Sequence, residues 1–417
     1  MTYFSFFIKY RRILAFSVLL AFFSSFGQTF LLSFYIPEFT VAFGLTEGQV
    51  GLMYGIATVL SALLLPWTGS RIDTTPLPGY TLTVTFALAV AALVVAVAPH
   101  WIFLFIAMVA LRHLGQGLCG HIAMTTSGRS FVENRGKAVA IAGTGFPLGE
   151  MLLPTLIALS ITAIGWRLSW GLSAGVIVLI LAPASWWLIR SSRLREDALT
   201  AHESGRSQEK SGTWRTRDLL TDFRFYLILF ALVPLGFFST GFIFYQAIIA
   251  DTRDWGSHVF PTAFAAFAVT RALTALWAGP WIDRLSAIRL LPAHMLFLLV
   301  SAGFLVFFHS EWSAYVYLVL LGMSMGAGQS VGMAVWAEVY GVENLGAIRS
   351  VASMVGVLST ALAPLLFGVL LDLGISVQAI LNATLALIVA LTAFSFFAAS
   401  MLLRARQRPR RVAKERS

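Results

Sequence analysis

The sequence predicts an all-α membrane protein with about twelve transmembrane helices, arranged as two pseudo-symmetric six-helix bundles. Three observations predict this fold class. The 417 residues are 58% hydrophobic and only 12% charged, apolar runs long enough to cross a membrane recur along the chain, and the two halves match each other at one constant shift. Soluble domains carry roughly 25% charged residues, so this composition excludes a water-soluble fold of this length.

A helix needs about 20 apolar residues to cross a hydrocarbon core about 30 Å thick. Lys9, Arg11 and Arg12 precede the first apolar run, which is too long for a cleaved signal peptide and has no small-residue cleavage site after it. We therefore expect it to remain as a span. The predicted spans are 13–36, 48–68, 79–98, 101–127, 138–163, 168–189, 223–249, 258–281, 289–308, 312–337, 347–371 and 375–402.

The positive charges lie in the predicted loops and tails. If the amino terminus lies inside, the inner segments hold 25 of the 29 Lys and Arg residues. Only Arg167 and Arg253 fall outside, and the remaining two, Arg112 and Arg271, lie within predicted spans. This bias is typical of a protein with both termini in the cytoplasm, and the basic tail from Arg404 to Arg416 then lies beside anionic lipid. Topology therefore explains the net charge of +10, and no nucleic-acid partner is expected.

An internal repeat relates the two halves. A shift of 210 residues aligns Gly69-Ser-Arg-Ile-Asp73 with Gly279-Pro-Trp-Ile-Asp283, Val132-Glu-Asn-Arg-Gly136 with Val342-Glu-Asn-Leu-Gly346, Pro154 with Pro364, and Tyr35 with Tyr245. Matching polar and glycine loops at equivalent places predict a duplicated six-helix unit. We expect an amino-terminal bundle at 1–189, a cytoplasmic linker at 190–222, a carboxy-terminal bundle at 223–403 and a basic cytoplasmic tail at 404–417.

These loops resemble the signatures of the major facilitator superfamily. The segments 69–73 and 279–284 are similar to its motif after helices 2 and 8, although Thr74 stands in place of a basic residue in the first copy. Arg112-His-Leu-Gly-Gln-Gly117 is similar to its helix 4 motif. The resemblance covers nearly the whole chain, and it implies the major facilitator fold, a central cavity at the membrane midplane and alternating access from the two sides.

Charged residues inside a span need a partner, a cavity or a function, because their burial in lipid is costly. Arg271 lies near the midpoint of the eighth predicted span, and no intramembrane acid is close to it in sequence. A planar guanidinium at this depth suits a carboxylate through two parallel hydrogen bonds. We expect Arg271 to bind substrate; the competing interpretation is a structural arginine bonded to a carbonyl or to another helix.

Arg112 and Glu150 fall at similar depths in the hairpin of predicted spans 4 and 5. They form either a neutralised structural pair, which we favour, or a pair that carries or gates a proton. His121 is expected to be the only other titratable group deep in this hairpin, so it is the third candidate for coupling. The alternative for His121 is a histidine simply hydrogen-bonded in place.

Polar and aromatic side chains at matching heights are further candidates for substrate binding. Gln28 and Gln329 lie deepest and are the stronger candidates. The others are Tyr54, Gln116 and Trp336.

Four residues are candidates for the gates. Tyr35 and Tyr245 lie near the outer ends of predicted spans 1 and 7, where they act as outer gate residues or as membrane-interface anchors. Asp73 and Asp283 end predicted spans 2 and 8 on the inner side. By the resemblance, each acid caps the positive end of a helix in the opposite half and holds the inner gate shut.

Within the superfamily, the chain resembles the monocarboxylate transporter group. The segment 131–135, Phe-Val-Glu-Asn-Arg, and the glycines that follow it are similar to the pattern that opens helix 5 there, and Arg271 stands where those proteins place a carboxylate-binding arginine. Two features depart from the pattern: the acidic helix 1 signature is absent at 24–28, and Phe267 replaces the aspartate that accompanies the arginine. The resemblance implies a small organic anion, a monocarboxylate, as substrate.

Other functions stay open at this stage. A proton-coupled drug or cation exporter would use Glu150 as the substrate-facing charge and Arg112 as its partner, a sugar porter would need more amide groups than these spans offer, and a sensor would show no flux. No His-Glu-x-x-His or comparable catalytic set is present, so an enzyme is not expected. The single Cys119 and the lack of ligand spacing predict no disulfide, metal or cofactor. The expected partners are the substrate, a proton and membrane lipid, with the protein acting as a monomer in the bacterial inner membrane.

Overall fold

A computed structural model describes residues 3–131, 134–190, 219, 221–341 and 345–414, and these residues are almost entirely helical. They belong to two compact units, Met1–Glu209 and Lys210–Ser417. The division falls within the predicted linker, most of which lies outside the described residues. The all-α fold class predicted from the sequence is confirmed.

The described residues of unit 1 form six spans. They are α1 (Arg11–Gly27 and Thr29–Phe43, bent by 45°), α2 (Glu47–Asp73), α3 (Leu77–Val97), α4 (Trp101–Ser130), and two spans within the 55-residue helical segment Gly136–Arg190. As one straight rod this segment would be about 80 Å long, well over twice the roughly 30 Å of a hydrocarbon core. It breaks at Gly165, whose φ is 78°, so α5 is 136–164 and α6 is 166–190.

Unit 2 contains the other six spans. They are α7 (Phe223–Phe244), α8 (Val259–Leu285), α9 (Ala287–Phe307), α10 (Glu311–Tyr340), α11 (Leu345–Asp372) and α12 (Val377–Lys414). Among the described residues, ten helical segments are long and apolar enough to cross a membrane, and the bent α1 is the eleventh. The break at Gly165 brings the number to the predicted twelve.

Several predicted ends differ from the structure, and three of the differences have structural consequences. The first span continues past residue 36 to Phe43, and the seventh breaks after Phe244 and restarts as the short helix Gln246–Asp251. The last span, predicted to end at 402, continues as a helix into the basic tail as far as Lys414. Arg, Lys and Gln are good helix formers, which favours the helix as far as Arg408, but Pro409 is unfavourable inside a helix and propensity does not explain the last turn.

The end of α3 is capped by an arginine from α6. Nη1 of Arg167 donates to the carbonyl oxygens of Ala96 at 3.2 Å and Ala98 at 2.9 Å. The last carbonyls of a helix lack partners within the helix and carry partial negative charge, so a cation is favourable there.

The end of α9 is capped at the equivalent carbonyls by two different donors. Nε2 of Gln378 donates to the carbonyl of Val306 at 3.2 Å, and Nη1 of Arg253 donates to that of Phe308 at 2.7 Å. Val306 and Phe308 follow the two capped carbonyls of unit 1 by 210 residues. The repeat seen in the loops therefore extends to the hydrogen bonds that end the third helix of each unit.

Candidate functional site

Arg271 is the thirteenth of the 27 residues of α8 and its side chain is partly buried. Two glycines of α10 abut its backbone: a Cβ added at Gly322 would lie 3.2 Å from the Arg271 nitrogen, and one at Gly326 would overlap the Arg271 carbonyl oxygen. Thr270 adds a hydrogen bond from its hydroxyl to the Val319 carbonyl at 3.2 Å. The backbone of Arg271 is thus held against α10, which fixes the point from which its side chain extends.

A cleft of about 330 Å³ opens within unit 2 between α7, α10 and α11. Gln329 and Trp336, both predicted to bind substrate, line it together with Ser353 and Thr360 of α11, while glycines and aliphatic side chains form most of the remaining wall. Sites for small molecules measure about 300–1,000 Å³. The cleft can therefore hold a small solute that has an apolar body and a few hydrogen-bonding groups.

Gln329 is the polar cleft residue closest along α10 to the contact between Gly326 and α8. It follows Gly326 by three residues, which is about one helical turn, and Gly326 abuts the carbonyl of Arg271. Among the described residues, those that line the cleft do not include Arg271. Arg271 of α8 thus packs against one face of α10, and Gln329 and Trp336 lie on a neighbouring face of α10.

Arg112 is 3% exposed, and its contacts lie within unit 1. Its Nε donates to the Thr58 hydroxyl at 3.1 Å, its Nη1 donates to the Gly27 carbonyl at 3.0 Å, and its Cζ lies 4.7 Å from the ring centroid of Tyr54. Neither hydrogen bond goes to Glu150, which is buried in α5. These contacts tie α4 to α1 and α2 and support the structural interpretation of Arg112.

The other candidates of unit 1 differ in how far their side chains are buried. Tyr54 is fully buried and its hydroxyl bonds to Thr29, so it packs within the bundle. Gln28 lies at the bend of α1, where its Nε2 donates to the Ser24 hydroxyl at 3.2 Å. Gln116 is exposed on α4, and His121 is half-buried.

The predicted gate acids differ in their surroundings. Asp73 forms an ion pair with Arg129, the two side chains being 39% and 52% exposed. Asp283 is exposed at the end of α8. Contacts of these acids with the opposite half stay a prediction.

The predicted gate tyrosines are buried within their own units. The Tyr35 hydroxyl is 2.7 Å from the Ser169 hydroxyl, and the Tyr245 hydroxyl donates to the Pro364 carbonyl at 2.7 Å. An interface anchor exposes its ring to lipid headgroups, so this burial argues against the anchoring interpretation.

A sequence model described as Major Facilitator Superfamily matches residues 18–260 and 226–417. The chain belongs to this superfamily. The major facilitator chain is also similar to the crystal structure of a bacterial homologue of the human lysosomal transporter Spinster, in an inward-facing and unoccupied conformation. The likeness covers 95% of this chain and 98% of the other with a TM-score of 0.70, and at 15% identity it shows the fold alone. No curated protein matches the chain.

As a member of the major facilitator superfamily, the protein moves a small molecule across a membrane in which it is embedded. Among the described residues, no group of three or more His, Cys, Asp or Glu side chains is placed to hold a metal ion.

Two buried histidines of this major facilitator were missed by the sequence reasoning. His113 lies in the same hairpin as His121, so the expectation that His121 is the only other titratable group there is wrong. His294 of α9 is fully buried with its Nε2 3.0 Å from the Ala231 carbonyl. The signal that applied to the arginines, an ionisable residue inside a span, was present at both positions.

Proposed function

We propose that the protein is a secondary active transporter that moves a small organic anion, a monocarboxylate, by alternating access, and that Arg271 binds the carboxylate. The observation that carries the proposal is the placement of Arg271 at the middle of α8 with its backbone fixed by Gly322 and Gly326. A guanidinium offers parallel N–H donors that match a carboxylate. An orienting group of this kind works best on a rigid element.

The proposal does not assign the anion to Arg112, the second intramembrane arginine. Arg112 is enclosed by Thr58, Gly27 and Tyr54 within unit 1. Its guanidinium joins three helices, whereas a transported solute must bind and leave.

The cleft of unit 2 supports a substrate with a compact apolar body. We assign the carboxylate to Arg271 and the body to the cleft side of α10, with Gln329 at the junction and Trp336 further along. Gln28, Gln116 and Tyr54 of unit 1 stay predictions for substrate contact, as His121 does for coupling.

One observation favours the alternative of a proton-coupled drug or cation exporter. Glu150 is 3% exposed within α5, and ionisable side chains inside spans often mark the path of a proton or an ion. In an exporter, replacing Glu150 with Gln would abolish cation efflux, while replacing Arg271 would leave it intact.

We also propose that the protein lies in a bacterial inner membrane with both termini in the cytoplasm. The distribution of Lys and Arg residues supports this orientation. Reporter fusions at the amino terminus, within 191–218 and after residue 414 test it. Outer-face signals from these fusions would reverse the assignment of inner and outer ends.

Uptake of labelled acetate, lactate and pyruvate into proteoliposomes, with and without a pH gradient, tests the anion proposal. Arg271→Lys keeps the charge but loses the fork that matches a carboxylate, and Arg271→Gln loses both. We expect a fall in uptake of about 10- to 100-fold for the Lys variant, which corresponds to one or two charge-assisted hydrogen bonds. The Gln variant should be inactive and well folded.

The matched control is Arg289→Gln, which removes an exposed arginine near the start of α9, outside the motif at 279–284. It should retain carboxylate uptake. Wild-type carboxylate uptake by Arg271→Gln would remove the basis of the proposal. An Arg271→Gln protein that fails to fold would assign Arg271 the structural role instead.

A further inference from the structure

His113 lies on α4 in a segment, Arg112–Cys119, that is wound as a π-helix. Wider turns of this kind are rare and occur frequently at functional sites. The imidazole is 7% exposed, and it faces α2, where both of its ring nitrogens have partners. Nδ1 is 3.3 Å from the Ser61 carbonyl oxygen, and Nε2 is 3.0 Å from the Thr68 hydroxyl.

The partners of His113 allow two arrangements of protons. The Ser61 carbonyl only accepts, so Nδ1 carries a hydrogen. The Thr68 hydroxyl has one hydrogen and two acceptors within reach, Nε2 of His113 and the Leu64 carbonyl at 2.9 Å. In neutral His113 the hydroxyl donates to Nε2, and in the imidazolium Nε2 donates to the hydroxyl, which turns its own hydrogen to Leu64. The second arrangement satisfies every group at once.

We propose that His113 is a proton-binding site of the transporter, loaded by a proton from water while the Thr68 hydroxyl changes from donor to acceptor. The site gains one positive charge, and no other bond forms or breaks. Hydrogen bonds to a charged donor are stronger than neutral ones, so both Ser61 and Thr68 hold the loaded imidazolium more firmly than the neutral ring.

Proton binding at His113 acts on the junction of three helices. The Thr68 carbonyl accepts a hydrogen bond from the Tyr80 hydroxyl of α3 at 2.8 Å, so Thr68 connects α3 to α2 while its hydroxyl contacts α4. Five residues further along α2, Asp73 forms its ion pair with Arg129 of α4. Loading the site therefore strengthens the contact of α2 with α4 near the end of the bundle that carries this ion pair.

Several ionisable groups lie on the helices around His113. Arg112 precedes His113 but turns toward Gly27, Thr58 and Tyr54. In the described part of the helices packed around His113, the other titratable or charged side chains are Arg11, Arg12, Tyr35 and Glu38 of α1, Glu47, Tyr54, Arg71 and Asp73 of α2, Tyr80 of α3, and Cys119, His121 and Arg129 of α4. At hydrogen-bonding distance, the Ser61 carbonyl and the Thr68 hydroxyl are the acceptors that stabilise a charged imidazole.

Nitrogen-15 NMR of the full-length protein in detergent micelles, with labelled histidine, tests the site with the proton alone as ligand. The chain has seven histidines, and His113→Gln identifies the signal of His113 by its loss. We expect the His113 signal to change reversibly as the pH is lowered, with both nitrogens protonated at the acid end.

Thr68→Val gives a second identification that does not need His113→Gln to fold. It removes one hydrogen bond to the imidazolium and should lower the proton affinity of His113 about tenfold, or one pH unit at the midpoint. The matched control is Thr83→Val, because the Thr83 hydroxyl also donates to a carbonyl one turn back, that of Gly79 at 3.0 Å, but lies on α3 away from any histidine contact. It should leave the titration unchanged.

Two outcomes would overturn the proposal: a His113 signal that keeps one neutral tautomer from pH 4 to 9, or equal shifts in Thr68→Val and Thr83→Val. The link to transport rests on the proposed function, and it predicts that His113→Gln loses the response of carboxylate uptake to the pH gradient while uptake without the gradient persists. Failure of carboxylate uptake in the wild type would refute the proposed substrate but would leave the NMR test of the proton site intact.

Discussion

The contact between α8 and α10 should be opened by a single methyl group at Gly326. A Cβ there would lie 3.0 Å from the Ala275 nitrogen and 3.1 Å from the Thr274 Cβ, and would overlap the carbonyl oxygen of Arg271, whereas ordinary contacts measure 3.4–4 Å. The obstructing atoms include backbone, which cannot rotate away as the end of a long side chain can. Gly326→Ala must therefore separate the helices by several tenths of an ångström.

The expected cost is the difference between two opposing terms. Overpacking costs about 2 kcal/mol, and the greater helix propensity of Ala returns about 1 kcal/mol. The matched control is Gly303→Ala on α9, because among the described residues nothing lies within 4 Å of the Cβ that it would add. Gly303→Ala gains the helix propensity of Ala without overpacking. The two variants should therefore differ by about 2 kcal/mol in the free energy of unfolding.

Unfolding in mixed micelles by added SDS, followed by circular dichroism, measures this difference. Displacement of Arg271 should also reduce carboxylate uptake by Gly326→Ala, since a 1 Å misplacement of a positioning group can cost about 100-fold. Equal stability of the two alanine variants would refute the close contact of α8 with α10. Unequal stability with full uptake would instead separate this contact from the function of Arg271.

Three further variants test the contacts of other charged residues. Arg112→Gln should lower the free energy of unfolding by about 3 kcal/mol, from two buried hydrogen bonds and one cation–π contact of about 1 kcal/mol each, as measured by the same SDS titration. Asp73→Asn, which removes the exposed ion pair with Arg129, should cost at most about 1 kcal/mol, and this cost should shrink further in 1 M salt. At Asp222, burial acts to raise the pKa, but the hydrogen bonds and charge of Arg224 outweigh it and hold the pKa below its ordinary value of 3.8. The carboxylate therefore stabilises the fold above pH 3.8 and less as the pH falls below it, so the Tm advantage of wild type over Asp222→Asn should shrink only in that acid range.

The spans could be predicted from the sequence because crossing a membrane requires long apolar runs. The ends of the spans were less predictable, because the requirement for apolar residues applies only within the membrane. Once α12 leaves the apolar run at 402, hydropathy carries no further information, and Pro409 disfavours the helix that the structure continues to Lys414. The break between α5 and α6 was predicted correctly, between 163 and 168, because Gly165 and Arg167 interrupt the apolar sequence there.

The depth of a residue in a span could be predicted, but its neighbours could not. Similar depth suggested a pair of Arg112 and Glu150, which stays a prediction, whereas the hydrogen bonds of Arg112 to Gly27 and Thr58 were not expected from the sequence. The face that a residue presents depends on how helices pack, and the π-helical turn that begins at Arg112 changes the faces along α4. His113 was overlooked because adjacent residues were treated as one motif, although their side chains point to different neighbours.

The repeat predicts equivalent positions more reliably than equivalent partners. Asp73 and Asp283 are related by the shift of 210 residues, and so are Arg129 and Val339. The ion pair of unit 1 therefore has no counterpart at the matching position of unit 2. There the neighbouring Glu338 accepts a hydrogen bond from the Ala287 backbone nitrogen at 2.8 Å and forms an ion pair with Arg406.

The capped carbonyls of α3 and α9 also keep equivalent positions with different partners. One arginine donates to both carbonyls in unit 1, and a glutamine and an arginine each donate to one carbonyl in unit 2. What persists in both units is the physical requirement: exposed helix ends must be satisfied and helices must be held at fixed separations. The side chains that meet the requirement are free to differ. The two units can therefore differ in chemistry where equivalent positions carry different residues. The shift of 210 residues pairs His113 with Met323, and Arg271 with Ser61. The proposed proton site in unit 1 and the proposed carboxylate site in unit 2 are such positions.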